Sequence, residues 1–419
     1  MEKTNGELAR KKSVQFKVEV FDERDTRCGI PLCPVTVFSD LRFLLPLLYF
    51  LIFVQGTVGA SADNNDIGQQ VSISLFAIVL PFFGRNHKPR WLGVGSMLTA
   101  ISCFILGCKT VTKIDLWLID FLAQFTNGIG LALSTAVGAA YLDNNFPRYF
   151  PLIFGIGVSV MTAGGLLMPR APHWMTFGAL MAILTLPISL LPKVIHRTPS
   201  YEVAAAVNPT DDPAILKELR TSIITVLKKK RVLYNCLAAA FFFLGLNIIC
   251  NERVSTGAQA VGFLLCGWFI QFVKPRGKIL AGANILLGVC FCAHSIYFSF
   301  RCSCDFITIA FFSSFLFLSC FGRIATFMFC IRSVERKDKT VAIGIVIAVV
   351  SLFLIPKKLL VDITCHCTDR NTYDVIYSSP CSTSCCQSNF VPQMVGAGLT
   401  LVGVVFDWLV WRHADLELY

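Results

Sequence analysis

The chain has 419 residues, of which 55% are hydrophobic and 15% are charged, and its mean hydropathy is +0.65. This composition excludes a soluble globular protein and is typical of a protein that crosses a membrane many times. The net charge is +11, but the Lys and Arg residues stand beside apolar runs, where they orient membrane helices and contact anionic lipid, so nucleic-acid binding is not expected.

Apolar runs of about 17 or more uncharged residues can cross a bilayer as helices. A polar tail, residues 1–41, precedes a first half at 42–192, a linker at 193–231 and a second half at 232–411, and residues 412–419 form a short polar end. We therefore expect an all-α integral membrane protein, a bundle of about 12 transmembrane helices in two six-helix halves. The helices are expected at 42–60, 67–83, 91–108, 116–142, 149–168, 174–191, 232–249, 257–273, 279–300, 306–331, 340–354 and 390–411.

The distribution of cations predicts the orientation of this bundle. With both termini in the cytoplasm, 28 of the 37 Lys and Arg residues fall on the cytoplasmic side and 8 on the opposite side, with Arg323 inside a helix. Cytoplasmic loops carry the excess of Lys and Arg. We expect a multi-pass protein of the plasma membrane in which both termini are cytoplasmic.

The linker contains apolar residues at helical spacing. Residues 215, 216, 219, 223 and 227 are Ile or Leu, so an amphipathic helix along the membrane is one interpretation. A simple connection between the two halves is the other interpretation, and it is favoured because such segments usually serve as linkers.

A short basic turn joins the second and third expected helices, and it recurs later in the chain. The first copy contains Arg85, His87, Lys88 and Arg90; the second contains Lys274 and Arg276 in the same Lys-Pro-Arg sequence. We interpret the pair as one feature repeated in the two halves of a transporter. These cations would act as gates at the inner face by holding carboxylates or helix C-termini. Setting the topology is the alternative role, and it requires no gate.

Polar side chains inside membrane helices are costly and usually face a bundle interior or a water-filled path. Arg323, in the tenth helix, is a candidate for binding an anionic substrate in a central cavity. Pairing with Asp407 of the twelfth helix is the other interpretation, and it is slightly favoured.

The fourth and ninth helices carry further cavity candidates. Asp120, Gln124 and Asn127 are spaced i, i+4 and i+7 and share one face, which indicates either a cavity lining or interhelical hydrogen bonds. His294 is a further candidate, although a packed neutral histidine is the favoured interpretation.

Nine of the 18 cysteines lie on or beside the expected outer turns, where the oxidising environment favours disulfides. A zinc site is the competing interpretation of the densest cluster, but it is disfavoured on this side of the membrane. The disulfide candidates are Cys302, Cys304, Cys365, Cys367, Cys381, Cys385 and Cys386. We expect no metal site.

The sequence contains no nucleotide-binding glycine loop, no HExxH and no Gly-x-Ser-x-Gly motif, so neither an enzyme nor a cofactor is expected. Gly-x-Gly occurs at 128–130 and at 155–157 within apolar helices. Glycines in that setting allow helices to pack closely.

Several short motifs resemble the organic anion transporting polypeptides, a family within the major facilitator superfamily. Phe-Gly is followed by His-Lys-Pro-Arg-Trp-Leu-Gly at 83–93, and Val-Asp-Ile-Thr-Cys stands at 361–365. The other stretches are 28–29, 53–56, 66–68, 141–143, 333–334 and 342–344. The resemblance implies a major facilitator fold and sodium-independent exchange of amphipathic organic anions such as bile salts, steroid conjugates and eicosanoids.

The chain also departs from this family. The large cysteine-rich loop that members carry between helices nine and ten is reduced to residues 301–305, and a cysteine-rich segment at 361–389 precedes helix twelve instead. Ser351 stands where the family has an arginine associated with substrate binding. The expected function is thus transport of small organic anions across the lipid bilayer in which the protein lies. The alternatives are a transport-deficient relative acting as a membrane scaffold or binding protein, and a receptor or channel with a different helix count.

Overall fold

The computed structural model describes residues 41–61, 67–84, 88–112, 117–167, 173–191, 213–249, 252–273, 277–300, 324, 327–328, 330–335, 338–356 and 383–413. Helices account for nearly all of these residues. In chain order they are α1 (Leu41–Ser61), α2 (Ile67–Phe76), α3 (Val79–Gly84), α4 (Lys88–Thr112), α5 (Trp117–Asn145), α6 (Phe150–Leu167), α7 (Trp174–Ser189), α8 (Pro213–Lys228), α9 (Lys230–Ile249), α10 (Glu252–Val273), α11 (Gly277–Phe300), α12 (Lys339–Leu354) and α13 (Thr383–Arg412).

The order of these helices follows the sequence expectation. Among the residues whose side chains are described, α4, α5, Gly277–Tyr297 of α11 and Met394–Arg412 of α13 are long and apolar enough to cross a membrane, and apolar stretches of 10–17 residues lie within α1, α6, α7, α10 and α12. The tenth expected helix, 306–331, lies almost wholly outside the described residues. The linker forms a helix of its own, α8, which a single residue separates from α9.

The second expected helix, at 67–83, is divided into α2 and α3 by a turn at residues 77 and 78. Pro81 explains the division, because proline lacks the N–H that would bond to the carbonyl four residues earlier and its ring collides with that carbonyl. That carbonyl belongs to Ala77. The single-helix prediction missed this break because the run contains no charge to mark it.

The third expected helix starts earlier than the sequence predicted. α4 begins at Lys88, so Lys88, Pro89 and Arg90 form its first turn instead of a loop. Proline is well tolerated there, since the first N–H groups of a helix have no partner within the helix.

The two halves, α1–α7 and α9–α13, meet through two sets of helices. α6 packs on α10, and α12 packs on α2, α3 and α5. At the first crossing Gly155 faces Gly267: a methyl group on Gly155 would lie 2.8 Å from the Cα of Gly267 and 2.9 Å from the carbonyl oxygen of Phe263. At the second, a methyl group on Gly344 would collide with the carbonyl oxygen of Ala77. The interpretation of Gly155 as a packing residue is confirmed.

These crossings lie toward one end of the bundle, where α3 and α5 end and α4, α6 and α12 begin. We call it the basic end, because Arg90, Arg148, Lys278, Arg332 and Lys339 lie there. The rings of Phe154 and Phe327, one from each half, also meet there with centroids 5.7 Å apart.

Candidate functional site

A cluster of charges joins the two halves at the basic end. Asp143, near the end of α5, has a side chain with no exposed surface. It forms an ion pair with Lys339, the first residue of α12. Its other carboxylate oxygen lies 3.6 Å from the guanidinium of Arg332. A carboxylate withdrawn from water is stable only where cations and hydrogen bonds balance it. Asp143 in the first half thus depends on two cations from the second.

Arg332 extends this contact along the chain. Its guanidinium donates a hydrogen bond of 3.1 Å to the carbonyl oxygen of Pro147, in the turn between α5 and α6. One side chain of the second half therefore contacts both a carboxylate and a backbone carbonyl of the first. We call Asp143, Arg332, Lys339 and Pro147 the end cluster.

The linker helix α8 packs on the segment that carries these cations. The hydroxyl of Ser222 donates a 2.8 Å hydrogen bond to a carboxylate oxygen of Asp338, the residue before α12. Beyond the end of α8, the ammonium of Lys229 donates a 2.6 Å hydrogen bond to the carbonyl oxygen of Ser333. Leu219 and Val226 of α8 are buried in the same apolar cluster as Val341 and Ala342. The linker thus holds the turn next to Lys339 in place.

A second group of polar side chains lies deep inside the first half. The amide nitrogen of Gln55 in α1 donates to the hydroxyls of Thr99 in α4 at 3.0 Å and Ser134 in α5 at 2.8 Å. All three side chains are buried. Hydrogen bonds of this kind fix the relative positions of membrane helices, where each contributes about 1 kcal/mol.

Two of the predicted cavity residues belong to the same region. Gln124 donates a 2.7 Å hydrogen bond to the carbonyl oxygen of Val58, and Asn127 donates a 3.3 Å hydrogen bond to the carbonyl oxygen of Gln55. Both side chains are fully buried against α1. Of the two interpretations of this stripe, the geometry supports interhelical hydrogen bonding.

Asp120, the third residue of the stripe, lies at the opposite end of the bundle from the end cluster. Its carboxylate pairs with the ammonium of Lys109 at 2.6 Å, and both side chains are about one-quarter exposed. The pair joins the end of α4 to the start of α5, within one half. Gln124 and Asn127 of α5 both pack against α1, whereas Asp120 lies partly exposed at the end of the bundle.

The remaining predicted residues are distributed as follows. His294 is half-buried within α11, Lys88 is half-buried and Arg90 is exposed. Cys385 and Cys386 lie in the first turns of α13, and Cys108 near the end of α4 is an exposed free thiol. Arg323, Arg85, His87, Lys274, Arg276, Cys302, Cys304, Cys365, Cys367 and Cys381 lie outside the described residues. Within the described ranges no group of three His, Cys, Asp or Glu side chains could hold a metal ion.

Sequence reasoning did not select Asp143, Arg332 or Lys339 as gate residues. Asp143 was noted only as part of the family resemblance at 141–143. Arg332 and Lys339 contributed only to the count of Lys and Arg residues that predicts the orientation. A usable signal was a carboxylate at the end of an apolar helix, followed by a turn with a single cation, Arg148. Its pairing with Lys339, 196 residues away, required the fold.

Comparison with solved structures agrees with this architecture. A structure described as a major facilitator superfamily transporter, FucP, in the outward conformation superposes with a TM-score of 0.54 over 88% of this chain and 98% of that one, at 10% identity. A single-substitution variant of the E. coli fucose:proton symporter FucP matches with a TM-score of 0.53 at 11% identity and the same coverage. The fold is that of the major facilitator superfamily. The fold-class prediction is confirmed, and a multi-pass helical membrane protein follows from it.

No family model matches the chain, and no curated protein matches it in sequence. The major facilitator fold therefore rests on the structure, and the organic-anion resemblance rests on the motifs of the sequence. The structural neighbours are transporters.

Proposed function

We propose that this protein carries amphipathic organic anions across the plasma membrane, independently of sodium, by alternating access between its two halves. The observation that carries the proposal is the end cluster, in which Asp143 of one half is held by Lys339 and Arg332 of the other. In a transporter built from two rocking halves, such a contact closes one face while the other is accessible. We take the basic end to be cytoplasmic, so the described conformation is closed toward the cytoplasm.

The transport cycle requires this closure to be reversible. Asp143 has no exposed surface in the closed arrangement. When the halves separate, water must therefore reach its carboxylate and take the place of the two cations. Lys339 and Arg332 retain partial exposure, with 16% and 26% of their side-chain surfaces accessible, so water can reach them at the rim. A buried carboxylate with hydrated partners is suited to a contact that opens once in each cycle.

We assign anion binding to Arg323, with His294 as a second candidate. A cation inside the membrane region attracts an anion strongly because little solvent screens it. The amides of Gln124 and Asn127 already donate to the backbone of α1. Their proposed role is therefore to hold α1 beside the transport path. The basic turns, including Arg90 and Lys88, are proposed to set the orientation and to support the inner gate.

The experiment that tests this function measures uptake of a labelled steroid sulfate by cells that express the chain, with surface delivery quantified by an epitope tag. Uptake above that of mock-transfected cells is expected, and it is expected to persist when choline replaces sodium. The Arg323→Ala variant is expected to abolish it, while His294→Gln tests the second candidate.

Each outcome of this experiment decides a separate part of the proposal. Uptake that survives Arg323→Ala retains the transporter and removes Arg323 as the binding cation. Absence of uptake for a panel of bile salts, steroid conjugates and eicosanoids, with protein at the surface, contradicts organic-anion transport and favours a membrane scaffold.

A further inference from the structure

The linker helix α8 has two faces, and only one of them packs on the segment that carries the cations of the end cluster. The inward face contains Leu219, Ser222, Ile223 and Val226 at spacings of three and four residues; Leu219, Ser222 and Val226 are buried and Ile223 is half-buried. This face packs on the turn before α12 through the contacts described above.

The opposite face combines cations with exposed apolar side chains. Lys217, Arg220, Ile224, Leu227 and Lys228 lie at positions i, i+3, i+7, i+10 and i+11, which fall on one side of a helix. The three cations are exposed, as are 40% of Ile224 and 38% of Leu227. Glu218 is the only acidic residue of α8, and it lies beside this stripe. We call these five residues the outer face of α8.

We propose that the outer face of α8 binds anionic lipid headgroups of the cytoplasmic leaflet. A helix with cations and large apolar residues on the same face is suited to the membrane interface, where the cations contact headgroups and the apolar groups enter the acyl boundary. The proposal rests on the proposed orientation, in which the basic end lies in the cytoplasm.

The position of α8 selects lipid over a soluble acidic partner. Lys229 alone separates α8 from α9, which continues into the bundle, so the end of α8 lies at the membrane surface. Lys230 and Arg231 add two cations at this point. A soluble acidic segment would satisfy the cations but would leave Ile224 and Leu227 in water.

Lipid binding on one face of α8 is connected to the gate through the other. Ser222 and Lys229 bind the backbone and carboxylate groups that flank Arg332 and Lys339. A lipid that holds α8 at the membrane therefore stabilises the position of the cations that close the basic end.

The test uses the full chain purified in detergent and titrated with phosphatidylserine or phosphatidylcholine, with bound lipids counted by native mass spectrometry. The variant Lys217→Gln/Arg220→Gln/Lys228→Gln is expected to bind phosphatidylserine about tenfold more weakly or worse, because each cation near a surface strengthens binding severalfold. Its binding of phosphatidylcholine is expected to stay unchanged. The charge-preserving variant Lys217→Arg/Arg220→Lys/Lys228→Arg is expected to bind like the parent.

The matched control neutralises three exposed cations of the basic end that lie outside α8: Arg148 in the turn before α6, Lys278 of α11 and Arg412 of α13. Equal loss of phosphatidylserine in this control and in the α8 variant would overturn the proposal, because net charge alone would then explain it. Unchanged binding in the α8 variant, or displacement of the lipid by inorganic phosphate, would also overturn it. Melting temperatures of the variants establish that each is folded, and the readout does not depend on transport.

A separate variant tests the apolar part of the outer face. Ile224→Ser/Leu227→Ser retains every cation and is expected to weaken phosphatidylserine binding by a smaller factor than the charge variant. Full retention of binding in this variant would show that the cations alone hold the lipid and would contradict the assignment of Ile224 and Leu227 to the acyl boundary.

Discussion

Asp143 carries a negative charge at a position with no exposed surface, and its stabilisation comes from side chains of the other half. Removing either cation would cost about 3 kcal/mol or more, because it would leave the buried carboxylate without full compensation. Removing the carboxylate loses its attraction to both cations but costs less, because water reaches Lys339 and Arg332. In the proposed transport cycle this contact exists in one conformation only, so the lost free energy would shift the balance toward the other conformation. Asp143 is therefore the residue whose replacement should open the basic end.

We expect Asp143→Asn to separate the two halves at the basic end. The measurement is energy transfer between fluorophores on unnatural amino acids at Arg90 and Lys278, which are exposed on α4 and α11. The variant should show lower transfer efficiency than the parent. The double variant Asp143→Lys/Lys339→Asp should recover part of the loss, because it restores opposite charges across the contact.

Asp120→Asn is the matched control. It removes a carboxylate from a Lys–Asp pair that joins α4 to α5 within one half and lies at the far end of the bundle. Because this pair is partly exposed, it contributes only about 0–1 kcal/mol, and energy transfer at the basic end should not change. Equal effects of the two substitutions would contradict a gating role for Asp143.

How far single residues could be predicted is shown by Gln124 and Asn127. Their spacing predicted a shared face of one helix, and both side chains are buried against α1. Their acceptors are backbone carbonyls of Val58 and Gln55, which carry no signature in the sequence. A spacing identifies the face of a helix, whereas the partner depends on which helix packs there.

At the scale of helices, close approach is determined by glycine. Gly155 and Gly267 allow the backbones of α6 and α10 to touch where the two halves meet. The glycine pattern at 155–157 predicted close packing, but it did not identify the partner helix. The break between α2 and α3 was missed because Pro81 was read as part of an unbroken apolar run.

We expect Gly155→Ala to destabilise the protein by about 1–3 kcal/mol, since the new methyl group meets backbone atoms that cannot move independently. The measurement is the midpoint temperature for loss of the monodisperse peak in fluorescence-detected size-exclusion chromatography after heating.

Gly398→Ala in α13 provides the comparison, because a methyl group there meets no atom within 4 Å. Alanine is the better helix former, so this variant should be neutral or slightly more stable. If the two alanine variants had the same midpoint, the α6–α10 crossing would not limit stability.

At the scale of the whole molecule, hydropathy predicted an all-helical membrane bundle and the order of its helices. It did so because a bilayer requires apolar segments of a minimum length. The contacts between the halves involve residues such as Asp143 and Lys339 that are far apart in sequence, so periodicity contains no information on them. The orientation rests on the distribution of Lys and Arg and stays a prediction.

The orientation can be tested by labelling intact cells with a membrane-impermeant maleimide and identifying modified peptides by mass spectrometry. Cys108 is an exposed free thiol near the end of α4 that lies away from the basic end, so it should react from outside. A cysteine introduced at Thr221, exposed on α8, should react only after permeabilisation. The reverse pattern would place the basic end outside and contradict the proposed direction of closure.

The α6–α10 crossing has a mechanical consequence, because it is not central. Gly155 is five residues from the start of α6 and twelve from its end, which at 1.5 Å per residue gives lever arms of about 8 Å and about 18 Å. In the proposed cycle, halves that pivot about this crossing would move at the far rim by roughly twice the distance covered at the basic end. A movement just large enough to separate Asp143 from Lys339 on one side therefore corresponds to a displacement about twofold larger on the other.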